Sequence, residues 1–217
     1  MTDWADWHQY YDDPASPLRA RLACVKAYLA DALDQAPPGP VSLVSLCAGQ
    51  GRDVIEVLPG HPRRDDVRAV LVEWDERTAA FARQSAATAG LGQVEVRVAD
   101  AGLVASFADA LPADVLLLCG IFGNVSDADI EHTVAAAPAL CRPGATVIWT
   151  RGRRPPDLTP RVRAWFAASG FEEVAFDALE AYDTPEFRPM MGVGAGRLRH
   201  ASDAGPPAGR LFSFRPR

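Results

Sequence analysis

The stretch Val41-Ser42-Leu43-Val44-Ser45-Leu46-Cys47-Ala48-Gly49-Gln50-Gly51-Arg52-Asp53 sets how the rest of the chain is read. An apolar strand runs into a tight turn of small residues and then into a helix. Gly49 and Gly51 permit backbone angles and close ligand approach that a side chain would block, while the helix that follows offers unpaired N–H groups to an anionic moiety. An ordinary strand-to-helix turn can carry the same letters. What narrows the reading is Glu73, which closes the next β-prone run 22 positions past Gly51. That is near the roughly 20 residues that separate a glycine loop from an acid accepting hydrogen bonds from ribose hydroxyls. A dinucleotide fingerprint would place a third glycine where Val54 stands, and a phosphate loop would end in Gly-Lys-Ser/Thr where Arg52 and Asp53 stand. Both nucleotide classes are disfavoured.

Outward from this stretch, short β-rich runs alternate with longer helical ones, the pattern of a parallel sheet covered by helices. The fold class is α/β, a doubly wound, mostly parallel seven-stranded sheet. Strands are expected at Val41–Leu46, Arg68–Glu73, Val94–Ala99, Val115–Cys119, Thr146–Thr150, Glu172–Asp177 and Leu211–Phe214. Upstream, Leu18, Leu22, Val25, Leu29 and Leu33 mark one face of an amphipathic helix. Asp75 caps a helix running to Ala89, Ser126 with Asp129 starts another at Ile130–Leu140, and Thr159 precedes Pro160 at a first helical position. The organisation expected is one domain: a lid and helix over residues 1–36, a core over 41–177 and 211–217, and an insertion over 178–209. Met190 and Met191, with Gly192, Gly194 and Gly196, read either as a pliable substrate wall or as a surface hairpin.

The 217 residues are 48% apolar and 23% charged with a formal net charge of −6, enough to bury a core and too acidic for a general phosphate-backbone binder. Lys26 is the only lysine among 22 basic residues, a bias we read as that of a GC-rich bacterial genome. The acidic start, Met1-Thr2-Asp3-Trp4, does not have the layout of a signal peptide, and no apolar run reaches the roughly 20 residues of a membrane helix. Cys24, Cys47, Cys119 and Cys141 are scattered, with no metal-ligand spacing. These features point to a cytoplasmic protein without a metal site.

Residues 41–177 and the final strand resemble the class I S-adenosylmethionine-dependent methyltransferases. The resemblance implies that Cys47, Ala48, Gly49 and Gly51 lie beside the methionine part of the cofactor and that Glu73 binds the ribose diol. It also implies that Trp74 packs on the adenine and that Asp100 accepts from the adenine amino group, with the Ala101 N–H nearby. Cys119 and Gly120 would follow the fourth strand into the methyl-transfer site, floored by Gly120-Ile121-Phe122-Gly123-Asn124. The chain departs from the family pattern at Ser45, where an acid is usual, and at Cys47, where a glycine is usual.

Methyl transfer from a sulfonium is an in-line displacement that needs alignment and desolvation, with a base only if the nucleophile arrives protonated. His8 is the candidate base, since it lies in an aromatic cluster of Trp4, Trp7, Tyr10 and Tyr11; the same rings can instead staple the N-terminal segment to the sheet. Tyr11, Phe122, Asn124 and Arg151 are the candidate substrate contacts, Arg151 as a clamp for a carboxylate or phosphate or as part of a solvated cluster with Arg153 and Arg154. The function expected is methyl transfer to oxygen or nitrogen of a small-molecule acceptor in bacterial secondary metabolism. A cofactor-binding protein that does not transfer methyl is the alternative. An RNA methyltransferase ranks lower, because Cys119-Gly120-Ile121-Phe122 stands where an Asn/Asp-Pro-Pro-Tyr/Phe motif would be.

Overall fold

The computed structural model describes residues 9–13, 16–179, 191–200 and 205–215. Its seven strands are β1 (Val41–Leu46), β2 (Val67–Glu73), β3 (Val94–Val98), β4 (Ala113–Leu118), β5 (Cys141–Gly152), β6 (Phe171–Leu179) and β7 (Met191–Leu198). They form one sheet in the order β3-β2-β1-β4-β5-β7-β6. The pairs among β1 to β5 are parallel, and β7 runs antiparallel between β5 and β6. After β3 the chain crosses back over β1 to add β4 on its other side, so the order reverses between β1 and β4. Ligands of open α/β sheets bind in the crevice at the carboxyl ends of the strands at such a point.

Five helices cover the sheet: α1 (Pro17–Gln35), α2 (Arg52–Val57), α3 (Glu76–Thr88), α4 (Asp127–Leu140) and α5 (Thr159–Ala168). Alternate residues of the inner strands face opposite ways, which is why the strands read as continuous apolar runs. Leu43, Leu71 and Leu117 pack with Val25 and Leu29 of α1, Val54 of α2 and Ala82 of α3. On the other face Val44, Val72, Leu116 and Trp149 pack with Ile130 and Val134 of α4 and Val162 and Phe166 of α5. Two helix starts are those read from the sequence: Asp75 Oδ1 accepts from the Thr78 N–H at 2.9 Å, and Ser126 Oγ from the Asp129 N–H at 3.0 Å. At α1, where the sequence reading named no cap, Ser16 Oγ accepts from the Leu18 N–H at 3.2 Å. At α5 the helix begins one residue earlier than expected, at Thr159, because Asp157 Oδ1 accepts from both its N–H (2.8 Å) and its hydroxyl (2.7 Å). No helix among the described residues is long and apolar enough to cross a membrane.

The seventh strand corrects the expectation. Leu211–Phe214 is not a strand of the sheet; residues 205–215 form an extended strap with isolated bridges at Leu103–Arg210 and Val125–Phe214. The strand is Met191–Leu198, from within the span expected to be an insertion, and it is neither a substrate wall nor a surface hairpin. Its glycines have a steric reason. The Trp149 indole lies flat against Gly194, so that a β-carbon there would sit 2.6 Å from Nε1. Glycine-rich text disguises a strand because its packing surface is supplied by β5. Met190 and residues 180–189 lie outside the described residues.

Candidate functional site

The turn after β1 is left-handed at alternate residues: Cys47 (φ 55°), Gly49 (φ 59°) and Gly51 (φ 64°). Gly51 opens α2, and a β-carbon there would strike Leu71 Cδ2 at 2.6 Å, so this glycine is required where helix meets strand. Cys47 is the only non-glycine residue with positive φ among the described residues. Its strain falls at the position where the class that the sequence resembles usually has glycine. Glu73, at the tip of β2, accepts the Gly49 N–H at 2.8 Å through Oε2 and the Asp75 N–H at 2.9 Å through Oε1. A carboxylate oxygen has two lone pairs, so each keeps one for a ligand hydroxyl. Asp100, just past β3, accepts the Gly102 N–H at 2.8 Å and pairs with Arg210 at 2.8 Å. Burial, then the charges of Glu73 and Asp100, push the Cys47 thiol well above its ordinary pKa. The glycine turn is bonded directly to Glu73, and both acids act on the turn's sulfur through their charge.

Beside Glu73, the indole of Trp74 is 73% exposed, a large aromatic face without a core role. Ala48 continues the β1–β2 ladder, its N–H donating to Val72 O at 3.0 Å, and Ala101 is buried. Past β4, Gly120 adopts φ 78° and has no atom within 4 Å of where a β-carbon would be, leaving open space beside Cys119. Thr150 Oγ1 holds the Gly120 N–H at 2.9 Å, and Asn124 Nδ2 donates to its carbonyl at 2.7 Å. Asn124 thus fastens the loop from inside.

Two candidate substrate contacts have other roles. Phe122 is fully buried, 6.2 Å from Trp149 and 6.5 Å from Phe166 between ring centroids, so it belongs to the core rather than to a pocket wall. Arg151 donates to the Phe122 carbonyl, and desolvation pulls its pKa down; it braces that loop and does not stand in a solvated cluster. A purely local reading could not find this, since both contacts cross from β5 to the loop after β4.

The N-terminal side carries groups that sequence reasoning passed over. Asp53, in the first turn of α2, is 8% exposed, and Arg21 of α1 is 7% exposed. Burial pushes Asp53 up to about 6, with Arg21 pulling it back. Arg21 donates to the Tyr11 hydroxyl, and the guanidinium groups of Arg21 and Arg52 lie 5.6 and 5.7 Å from the Tyr11 ring. Burial is also the main reason the Tyr11 phenol is raised, with the Arg21 guanidinium opposing it and Asp53 adding to it. Arg52 ties this segment to the glycine turn through Asp12 (2.6 and 3.2 Å) and Gln50 (2.6 Å). The available signal was Arg21 itself, a charge on the apolar face three residues past Leu18 and four before Val25. His8, Trp4 and Trp7 lie outside the described residues, and His132 is exposed on α4. Among the described residues no group of three or more His, Cys, Asp or Glu is placed to hold a metal ion.

No protein-family model matches the sequence, and no curated protein matches it. The fold, in contrast, is shared with many solved structures. Magnesium protoporphyrin IX methyltransferase from Synechocystis PCC 6803, solved with bound S-adenosylmethionine, superposes with a TM-score of 0.67 at 12% identity, over 91% of this chain and 92% of that one. An O-methyltransferase family protein from Burkholderia thailandensis gives 0.65 at 15% identity, over 89% of this chain but only 59% of that one. The [4+2]-cyclase SpnF gives 0.55 at 14% identity, over 79% and 81%. The chain has the fold of the class I methyltransferases.

Proposed function

We propose that the chain binds S-adenosylmethionine at the carboxyl rim of β1 to β4 and transfers its methyl group to oxygen or nitrogen of a small-molecule acceptor. The observation that carries this reading is the placement of Glu73, hydrogen-bonded at 2.8 Å to the glycine turn yet retaining acceptor capacity on both oxygens. A ribose diol is the ligand such a carboxylate fits. The open space at Gly120 and the exposed Trp74 face suit the rest of an adenosine, and Asp100 supplies an acceptor for its amino group. Arg21 and Asp53, buried and of opposite sign, suit the carboxylate and ammonium of an amino-acid tail.

The cofactor would supply an electrophilic methyl group already activated by its sulfonium. The chain's part is to align and to exclude water. Tyr11 and Asp12, held by Arg21 and Arg52, bring the N-terminal segment against the glycine turn, and Asn124, Thr150 and Arg151 stiffen the loop after β4. His8 is proposed as the base for a hydroxyl acceptor, with Tyr11 on the acceptor side. The acidic chain and the neighbour acting on a porphyrin favour a small-molecule acceptor over nucleic acid, and a role in bacterial secondary metabolism fits that class. The cyclase neighbour carries this fold for a reaction other than methyl transfer, which favours one second reading for this chain: cofactor binding without methyl transfer. Calorimetry with S-adenosylhomocysteine tests the cofactor, and labelled-methyl transfer to a panel of phenols and amines separates the two readings. Absence of binding refutes both; binding without label transfer selects the second.

A further inference from the structure

The strap of residues 205–215 touches both sides of the crevice. At the β3 side the Leu211 N–H donates to Gly102 O at 2.7 Å, Val104 donates to Gly209 O at 3.0 Å, and Arg210 pairs with Asp100 Oδ2 at 2.8 Å. At the β4 side Thr133 Oγ1 donates to Leu211 O at 3.1 Å, and the Arg215 N–H donates to Asn124 O at 2.9 Å. Leu211 and Phe212, each 1% exposed, anchor the middle. The strap is thereby fixed in register, and Arg210 is delivered to Asp100 rather than reaching it by chance.

Close packing reinforces the clamp. A β-carbon on Gly102 would lie 2.3 Å from the Phe212 carbonyl oxygen of the strap and 3.1 Å from both Asp100 Oδ1 and Arg210 Nη1, so Gly102 first lets the strap backbone pass and with it leaves the room in which carboxylate and guanidinium meet. Asp100 is gripped on both oxygens, by the Gly102 N–H and by Arg210. With one partner on each, the plane of the carboxylate is set and one lone pair per oxygen remains.

We infer that Arg210 is a positioning residue that orients Asp100 toward the exocyclic amino group of the cofactor's purine, making the strap a determinant of base selectivity. This rests on the cofactor reading above. The pair is partly exposed (side chains 44% and 29%), so its effect is modest, about fivefold in affinity.

The test compares S-adenosylhomocysteine with S-inosylhomocysteine, whose purine bears a carbonyl in place of the amino group. Both are titrated by calorimetry into the full chain and into Arg210→Gln and Arg210→Lys, with thermal unfolding as the check on folding. Arg210→Gln should lose about fivefold for the adenosyl ligand and nothing for the inosyl ligand, and Arg210→Lys should recover most of the loss. Equal losses for both ligands, no loss, or a gain for the adenosyl ligand would overturn the assignment. If the unaltered chain binds neither ligand, the cofactor reading fails first and takes this one with it.

Discussion

At one end of the sheet, β1, β2 and β3 stop at a common rim and leave polar groups there: a left-handed turn, Glu73 and Asp100. At the other end, β5, β7 and β6 leave an apolar block, in which Trp149 stacks on Phe166 at 5.9 Å, lies as close to Phe176, and presses on Gly194. The first end is held by hydrogen bonds and an ion pair among polar groups that keep acceptor capacity free. The second is held by close packing of apolar rings against a glycine-lined strand. A substitution at the rim should therefore show in binding, and one in the aromatic block in stability.

The largest effect is expected at the rim. Glu73→Ala removes two charge-assisted hydrogen bonds to a ribose, a loss of about 3–4 kcal/mol in cofactor binding. Calorimetry reads this directly, and Glu73→Gln, which can still accept from Gly49, should retain the fold. Unchanged affinity in Glu73→Ala would detach the rim from nucleoside binding. The counterpart in the block is Gly194→Ala. A methyl group 2.6 Å from Trp149 Nε1 meets a ring that is 3% exposed and cannot swing aside, so unfolding free energy should fall by about 2–3 kcal/mol. If urea unfolding shows no change, the register that sets β7 against β5 is wrong.

The same contrast explains what the sequence could reveal. Val41–Leu46 and the strand ending at Glu73 were legible because parallel strands buried on both faces leave nearly continuous apolar runs that end in a turn or an acid. The strand at Val94 was legible by alternation instead, with Val94, Val96 and Val98 set between Glu95 and Arg97 at the sheet edge. Asp75 and Ser126 were legible as caps because their partners lie three residues away. Met191–Leu198 was not, since glycines at 192, 194 and 196 give a strand no side-chain signature until Trp149, Phe176 and Phe171 are set against it. Phe122 was misread for the same reason. Its partners, Trp149 and Phe166, are supplied by the tertiary fold.

Asp53 sharpens the comparison because it is a rim residue with a cost in stability. Its pKa is raised from 3.8 to about 6, so from pH 4 to 6 the folded chain holds a proton that the unfolded chain has released. Stability from this group is therefore full below about pH 4 and is lost as pH rises through about 6. Above that, ionised Asp53 costs on the order of 2 kcal/mol, with Arg21 offsetting part and Glu56 adding to it. Asp53→Asn should raise stability by about that amount at pH 7.5 and by little at pH 4, in urea unfolding at the two values. Binding of S-adenosylhomocysteine should weaken in the same variant, because the ammonium of its tail loses a countercharge. An equal effect of the substitution at both values would show that Asp53 does not hold its proton through burial near Arg21.

The smallest effect belongs to Cys47, where the two halves of the argument meet in one residue. A side chain at φ 55° costs roughly 1 kcal/mol that a glycine would not. Cys47→Gly relieves this strain but also removes a half-buried sulfur within the field of the Glu73 and Asp100 carboxylates, and it frees the unfolded chain, which offsets some of the gain. The balance should be a gain of a few tenths to about 1 kcal/mol in unfolding free energy. If the thiol is only a tolerated replacement for glycine, cofactor affinity should be unchanged in Cys47→Gly. A drop in affinity with a rise in stability would instead show that the sulfur fills space against the ligand, so that the strain at the rim is retained for binding, as the strain-free packing of the aromatic block is not.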